Sequence, residues 1–125
     1  MKYLGIDFGT KRIGIAVSDK EGTLAFPHAV LENNEKFFER LRAMVKKEET
    51  KHIVVGVPKA LSGKTTAMTK QVKEFMRRLK REGFFVEEED EMFSTKMTKA
   101  HARKDMRDAS AAALMLQQYI DRSKL

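Results

Sequence analysis

A chain of 125 residues, 42% hydrophobic and 34% charged, has one domain's length and enough apolar material for one core, expected to span 1–125. It contains no cysteine, which excludes a disulfide framework, a thiolate metal site and a thiol nucleophile; Asp7, Lys11 and Arg12 break the apolar start, so the expectation is a soluble cytoplasmic protein without signal peptide or membrane span. Lys and Arg number 25 against 18 acids, a net charge of +7 that favours a polyanionic partner, with nucleic acid the commonest inside a cell.

In chain order, Lys2–Phe8 alternates and is β-rich, and Gly9–Thr10–Lys11 forms a tight turn into a second strand marked by Ile13, Ile15 and Val17. Asp19–Gly22 is another turn, before a short third strand around Leu24–Phe26, completing an antiparallel meander. Asn33 or Asn34 is suited to cap a helix carrying Phe37, Phe38, Leu41, Met44 and Val45. His52–Val57 is a continuous apolar run, as a buried parallel strand requires. Pro27 and Pro58 punctuate strand ends. A long helix then carries Met68, Val72, Phe75, Met76 and Leu79 and stops at Gly83. Phe84–Val86 opens a strand running into the acids Glu87–Glu91, and Ala109–Tyr119 reads as an Ala-rich helix packed closely on a sheet. This order predicts an α/β fold: a mixed five-stranded sheet, with a three-strand antiparallel meander plus two parallel strands and helices on both faces.

The basic residues crowd Lys59–Arg81 and Lys96–Arg107, with the acidic run between them. Taken singly, each notable carboxylate has an ordinary structural role: Asp7 bonded to the turn, Glu91 in a solvated charge run, Asp108 as an N-cap. In the expected sheet, however, Asp7 and Glu91 lie towards the C-terminal ends of parallel strands, where open α/β sheets bind ligands. A helix starting at Asp108 brings a third acid to that edge. Three carboxylates in a basic protein make a metal site for a polyanion, and Mg²⁺-assisted phosphodiester hydrolysis uses such a set.

The motifs carrying this pattern are Leu4-Gly5-Ile6-Asp7-Phe8-Gly9-Thr10-Lys11-Arg12-Ile13-Gly14-Ile15-Ala16-Val17, Val54-Val55-Gly56-Val57-Pro58 with Ser62-Gly63, Asp90-Glu91-Met92-Phe93-Ser94-Thr95, and Asp108-Ala109-Ser110-Ala111-Ala112. In content and order they resemble the YqgF/RuvX-type family: ribonuclease-H-like, Holliday-junction-resolvase-like proteins associated with maturation of the 5′ end of 16S ribosomal RNA. The resemblance implies a ribonuclease-H-like fold. It also implies a nuclease in which Asp7, Glu91 and Asp108 are catalytic and hold Mg²⁺ or Mn²⁺. Lys11, Arg12, Lys59, Lys64, Ser94 and Thr95 would then contact nucleic acid. Structured RNA is the favoured substrate, branched DNA the alternative, and the protein would act as a monomer or homodimer. Met92 stands where the signature has Arg, the 96–107 segment is short, and Glu88 occupies an apolar strand position.

Other readings are weaker. Gly63-Lys64-Thr65 ends like a P-loop, but Pro58 occupies the position of its first Gly. Asp7-Phe8-Gly9-Thr10 is similar to the phosphate turn of two-lobed actin-like ATPases, and this chain has no room for a second lobe. The rival of a different class is a non-catalytic RNA- or ribosome-binding protein with a degraded site. The Lys70, Lys73, Arg77, Arg78, Lys80 and Arg81 stripe is either a solvated helix face or a contact for a duplex backbone.

Overall fold

A computed structural model describes residues 1–58, 67–91 and 107–124. Its elements are β1 (Leu4–Asp7), β2 (Arg12–Ser18), β3 (Ala25–Glu32), α1 (Phe37–Glu48), β4 (His52–Pro58), α2 (Ala67–Arg81), β5 (Phe85–Glu91) and α3 (Arg107–Ser123). The strands form one sheet in the order β3-β2-β1-β4-β5. β1 to β3 pair antiparallel, while β4 pairs parallel with β1 and β5 parallel with β4. The expected meander with two appended parallel strands is therefore present.

Strand alternation distributes the core over both faces of the sheet. Leu4, Ile6, Ile13, Ile15, Ile53 and Val55 face α1 and α2, joining Phe37, Leu41, Val72, Phe75 and Leu79. On the other face Ala16 and Val54 meet Ala112, Met115, Leu116 and Ile120 of α3. β4 carries buried side chains on both sides, which explains its unbroken apolar run. Gly83, with φ +97°, ends α2 as expected. The Gly83 and Phe84 N–H groups donate to the Lys80 and Leu79 carbonyls at 3.1 and 3.2 Å, the paired bonds of a Schellman ending.

Three local expectations are corrected. β3 is a full strand of eight residues, not a short segment at Leu24–Phe26, and Pro27 lies inside it. β3 is an edge strand, so the missing N–H of Pro27 leaves no ladder bond broken towards a further neighbour. A bulge also falls there, since Ile15 pairs with Ala29 and Ala16 with Pro27, leaving His28 as the extra residue. Neither Asn33 nor Asn34 is the N-cap of α1; that position is Lys36, which makes no side-chain cap bond. Asn34 acts one turn earlier, its Oδ1 accepting from the Lys36 N–H at 3.0 Å. α3 starts at Arg107, placing Asp108 within the first turn instead of at the N-cap. Among the described residues, no helix is long and apolar enough to cross a membrane.

Candidate functional site

Asp7 is the last residue of β1 and Glu91 the last of β5, so parallel pairing through β4 brings both to one sheet edge. Both side chains lie on the α3 face. β5 keeps this parity: Glu89 is buried and approached by Gln118 and Arg122 of α3, while Glu88 and Asp90 are exposed. The acidic run is therefore sorted by strand alternation, and only part of it is a solvated surface.

Two glycines make room for the carboxylates. A Cβ on Gly56 would lie 2.7 Å from Glu91 Oε1 and 3.0 Å from Met115 Cγ. The missing side chain leaves the space through which Glu91 reaches across β4 towards Asp7. A Cβ on Gly14 would lie 2.0 Å from the Asp108 carbonyl oxygen, which real structures do not tolerate. The bare backbone of β2 lets the first turn of α3 come down onto the sheet with Asp108.

The electrostatic result is an acidic cluster whose one cationic partner among the described residues is Arg12, on Asp108. Burial first, then the side-chain hydrogen bond with Glu91, then the negative charges of Glu91 and Asp108 raise the Asp7 pKa from 3.8 to about 9. Asp7 therefore keeps its proton at neutral pH. Glu91 Oε1 is buried and, among the described residues, accepts no hydrogen bond. Asp108 Oδ2 accepts from Arg12 Nε at 3.3 Å, across an exposed approach. Asn33 buttresses the β1–β2 turn, its Nδ2 donating to the Gly9 carbonyl at 2.9 Å and its N–H to the Lys11 carbonyl. Lys11 is exposed beside this turn.

Of the residues expected from the sequence, the structure thus brings together Asp7, Glu91 and Asp108, with Arg12 on the last and Lys11 nearby. Among the described residues, no group of three or more His, Asp or Glu closes around a common ion position. Lys59, Lys64, Ser94, Thr95 and Met92 lie outside the described residues. The donor chemistry suits a hard divalent cation. It offers carboxylate oxygens, one of them buried without a partner among the described residues, and a negative charge met there by the Asp7 proton and by Arg12 on Asp108. Sequence reasoning missed Gly14 and Gly56 as space-makers and Arg12 as the partner of Asp108. The glycine signal was present, since both interrupt apolar strands.

Comparison with known proteins agrees with this architecture. Residues 1–122 match the family described as "RuvX: Holliday junction resolvase". A protein of Nitratidesulfovibrio vulgaris (strain DSM 19637 / Miyazaki F) is 39% identical over 123 residues, covering 97% of this chain and 84% of its own; its name is "Putative pre-16S rRNA nuclease". A protein of the same name from Anaplasma marginale (strain St. Maries) is 37% identical over 135 residues, covering 98% and 86%. Among solved structures, T. thermophilus RuvC in complex with a Holliday junction substrate superposes with a TM-score of 0.64 at 14% identity, covering 99% of this chain and 96% of that one. The Fowlpox virus resolvase in complex with Holliday junction DNA gives 0.63 at 10% identity, covering 98% and 99%. These likenesses establish the ribonuclease-H-like fold of the resolvases. With the match spanning nearly its whole length, the chain belongs to the RuvX family.

Proposed function

We propose that this protein is a divalent-metal-dependent nuclease that hydrolyses phosphodiester bonds of structured nucleic acid in the cytoplasm, the 5′ end of precursor 16S ribosomal RNA being the favoured substrate. The observation carrying this reading is the convergence of Asp7, Glu91 and Asp108 on one sheet edge, where the Asp7 pKa is raised to about 9 and the buried Glu91 Oε1 has no partner among the described residues. Acids gathered in this way are compensated either by a bound proton or by a cation, and phosphodiester hydrolysis calls for the cation. Asp7, Glu91 and Asp108 would hold Mg²⁺ or Mn²⁺, which supplies an activated water nucleophile and neutralises charge on the phosphate oxygens. Asp7, on the central strand, is the rigid member of the set. Glu91 enters through the Gly56 gap, and Asp108 is carried by α3. Arg12, paired with Asp108 on the exposed side, is placed to exchange that carboxylate for a phosphate oxygen.

The names of the relatives support rRNA, while the resolvase likeness keeps junction DNA as the second reading. The test is cleavage of end-labelled structured RNA and of a four-way DNA junction in Mg²⁺, Mn²⁺ or EDTA, comparing the parent with Asp7→Asn. Metal-dependent cutting by the parent and its loss in Asp7→Asn is the expected result. Binding without cutting under every metal condition would overturn the nuclease reading in favour of a non-catalytic RNA binder.

A further inference from the structure

The opposite face of the same sheet edge carries a groove that the carboxylate cluster does not use. Phe8 follows Asp7 directly, but packs against the α1–α2 side of the core. Between α1 and α2 lies an open groove of about 470 Å³ whose lining includes Phe8, Phe38 and Phe75 together with Lys70, Arg78 and Arg81. Phe75 joins the other two rings, its centroid 5.0 Å from that of Phe8 and 5.9 Å from that of Phe38. The Arg78 guanidinium lies 4.1 Å above the centre of the Phe38 ring, so the aromatic wall and the cationic rim are one surface. Glu74, the acid in this lining, sits 3.4 Å from Arg77. Lys70 and Arg81 are exposed and make no ion pair among the described residues.

Each half of this arrangement alone would be ordinary. Aromatic residues beneath a helix pair are core, and basic residues on an outer helix face are solvated charge. Their union in one groove selects a ligand with a flat apolar face and repeated negative charge. A duplex keeps its bases stacked on one another and withheld from Phe8 and Phe38, so the groove does not seat it. An unpaired nucleotide uses both: its base meets Phe8 and the Arg78-capped Phe38, and its phosphates meet Lys70 and Arg81, since Arg78 is engaged by Phe38 and by Glu82 at 3.6 Å.

We infer that the α1–α2 groove holds an unpaired segment of the nucleic acid, a base against Phe8 and Phe38 and phosphates at Lys70 and Arg81, while the continuing chain crosses the edge to Asp7. Only the crossing to Asp7 rests on the nuclease reading. The substrate class follows: a paired region flanked by single-stranded nucleotides, and not a blunt duplex.

The experiment measures fluorescence anisotropy in EDTA with a labelled RNA hairpin, blunt or bearing an unpaired tail. The tailed hairpin is expected to bind the parent about tenfold more tightly than the blunt one. In the variant combining Lys70→Ala and Arg81→Ala, that advantage disappears while affinity for the blunt hairpin holds. Phe8→Leu keeps an apolar side chain but is expected to lose the quenching of a 2-aminopurine placed in the tail. Equal affinities of the parent for both hairpins overturns the inference, and so does an equal loss for both in the double variant. No cleavage enters this measurement. A parent that cuts but ignores the tail refutes the groove alone, and one that prefers the tail but never cuts refutes the nuclease reading alone.

Discussion

Asp7 holds a proton that an exposed aspartate would have lost several pH units lower, and this has a measurable consequence. Its carboxyl pKa is raised on folding, from 3.8 to about 9, so the folded state binds the proton more tightly than the unfolded state. The contribution of this group to metal-free stability is complete below pH 3.8 and is lost as pH rises through 9. In EDTA, Asp7→Asn is expected to be more stable than the parent at pH 7 by about 2 kcal/mol, with a flatter pH dependence between 4 and 9. Urea unfolding across that range tests this; a variant no more stable than the parent, with the same slope, contradicts the assignment. The sequence announced Asp7 as one acid inside an apolar strand. It could not announce the company Asp7 keeps, because the distance to Glu91 depends on Gly56, and a glycine's use as empty space is visible only when the neighbour filling it is known.

At the scale of elements, the close seating of α3 organises the site. Gly14→Ala would push the backbone of Asp108 off the sheet, since the added carbon meets a carbonyl oxygen and not a flexible side-chain end. A loss of about 2 kcal/mol is expected together with a large loss of cleavage. Gly56→Ala meets mainly the movable Glu91 carboxylate, so melting temperature should fall little while cleavage falls at least about tenfold. Thermal melts and initial rates on the same preparations separate the two effects. α1 offers an opposite case, because its C-cap Glu49 is left-handed, at φ 56° and ψ 43°, a conformation that glycine adopts without strain. Glu49→Gly is expected to stabilise the protein by about 0.5 kcal/mol, read as a shift in the urea midpoint. Element types were legible where periodicity was strong, as in β4 and α2. The start of α1 and the length of β3 were not: Asn34 acts before the helix, and a proline tolerated on a sheet edge reads from sequence as a terminator.

For the whole molecule, the surplus of +7 matters less than its layout. α2 turns lysines and arginines outward on one face of the sheet, while β5 directs Glu89 and Glu91 to the α3 face. Nucleic-acid binding should weaken steeply with salt, and the Lys70→Ala, Arg81→Ala variant should make the log–log slope shallower by about 1.5 on a tailed hairpin. An unchanged slope would show that those cations touch no phosphate. The sheet topology was readable from sequence because short turns force the meander and long connections force the parallel pairings. The basic groove was not, since helix periodicity does not say which face of α2 sits over Phe8. The strand order also bears on synthesis. Asp7 is made early and pairs with the next strand in sequence, whereas Glu91 and Asp108 arrive late and α3 closes over β1 and β2. On the nuclease reading, a chain still emerging from the ribosome is inert towards the RNA that surrounds it, and it acquires cutting power only when its last helix has docked.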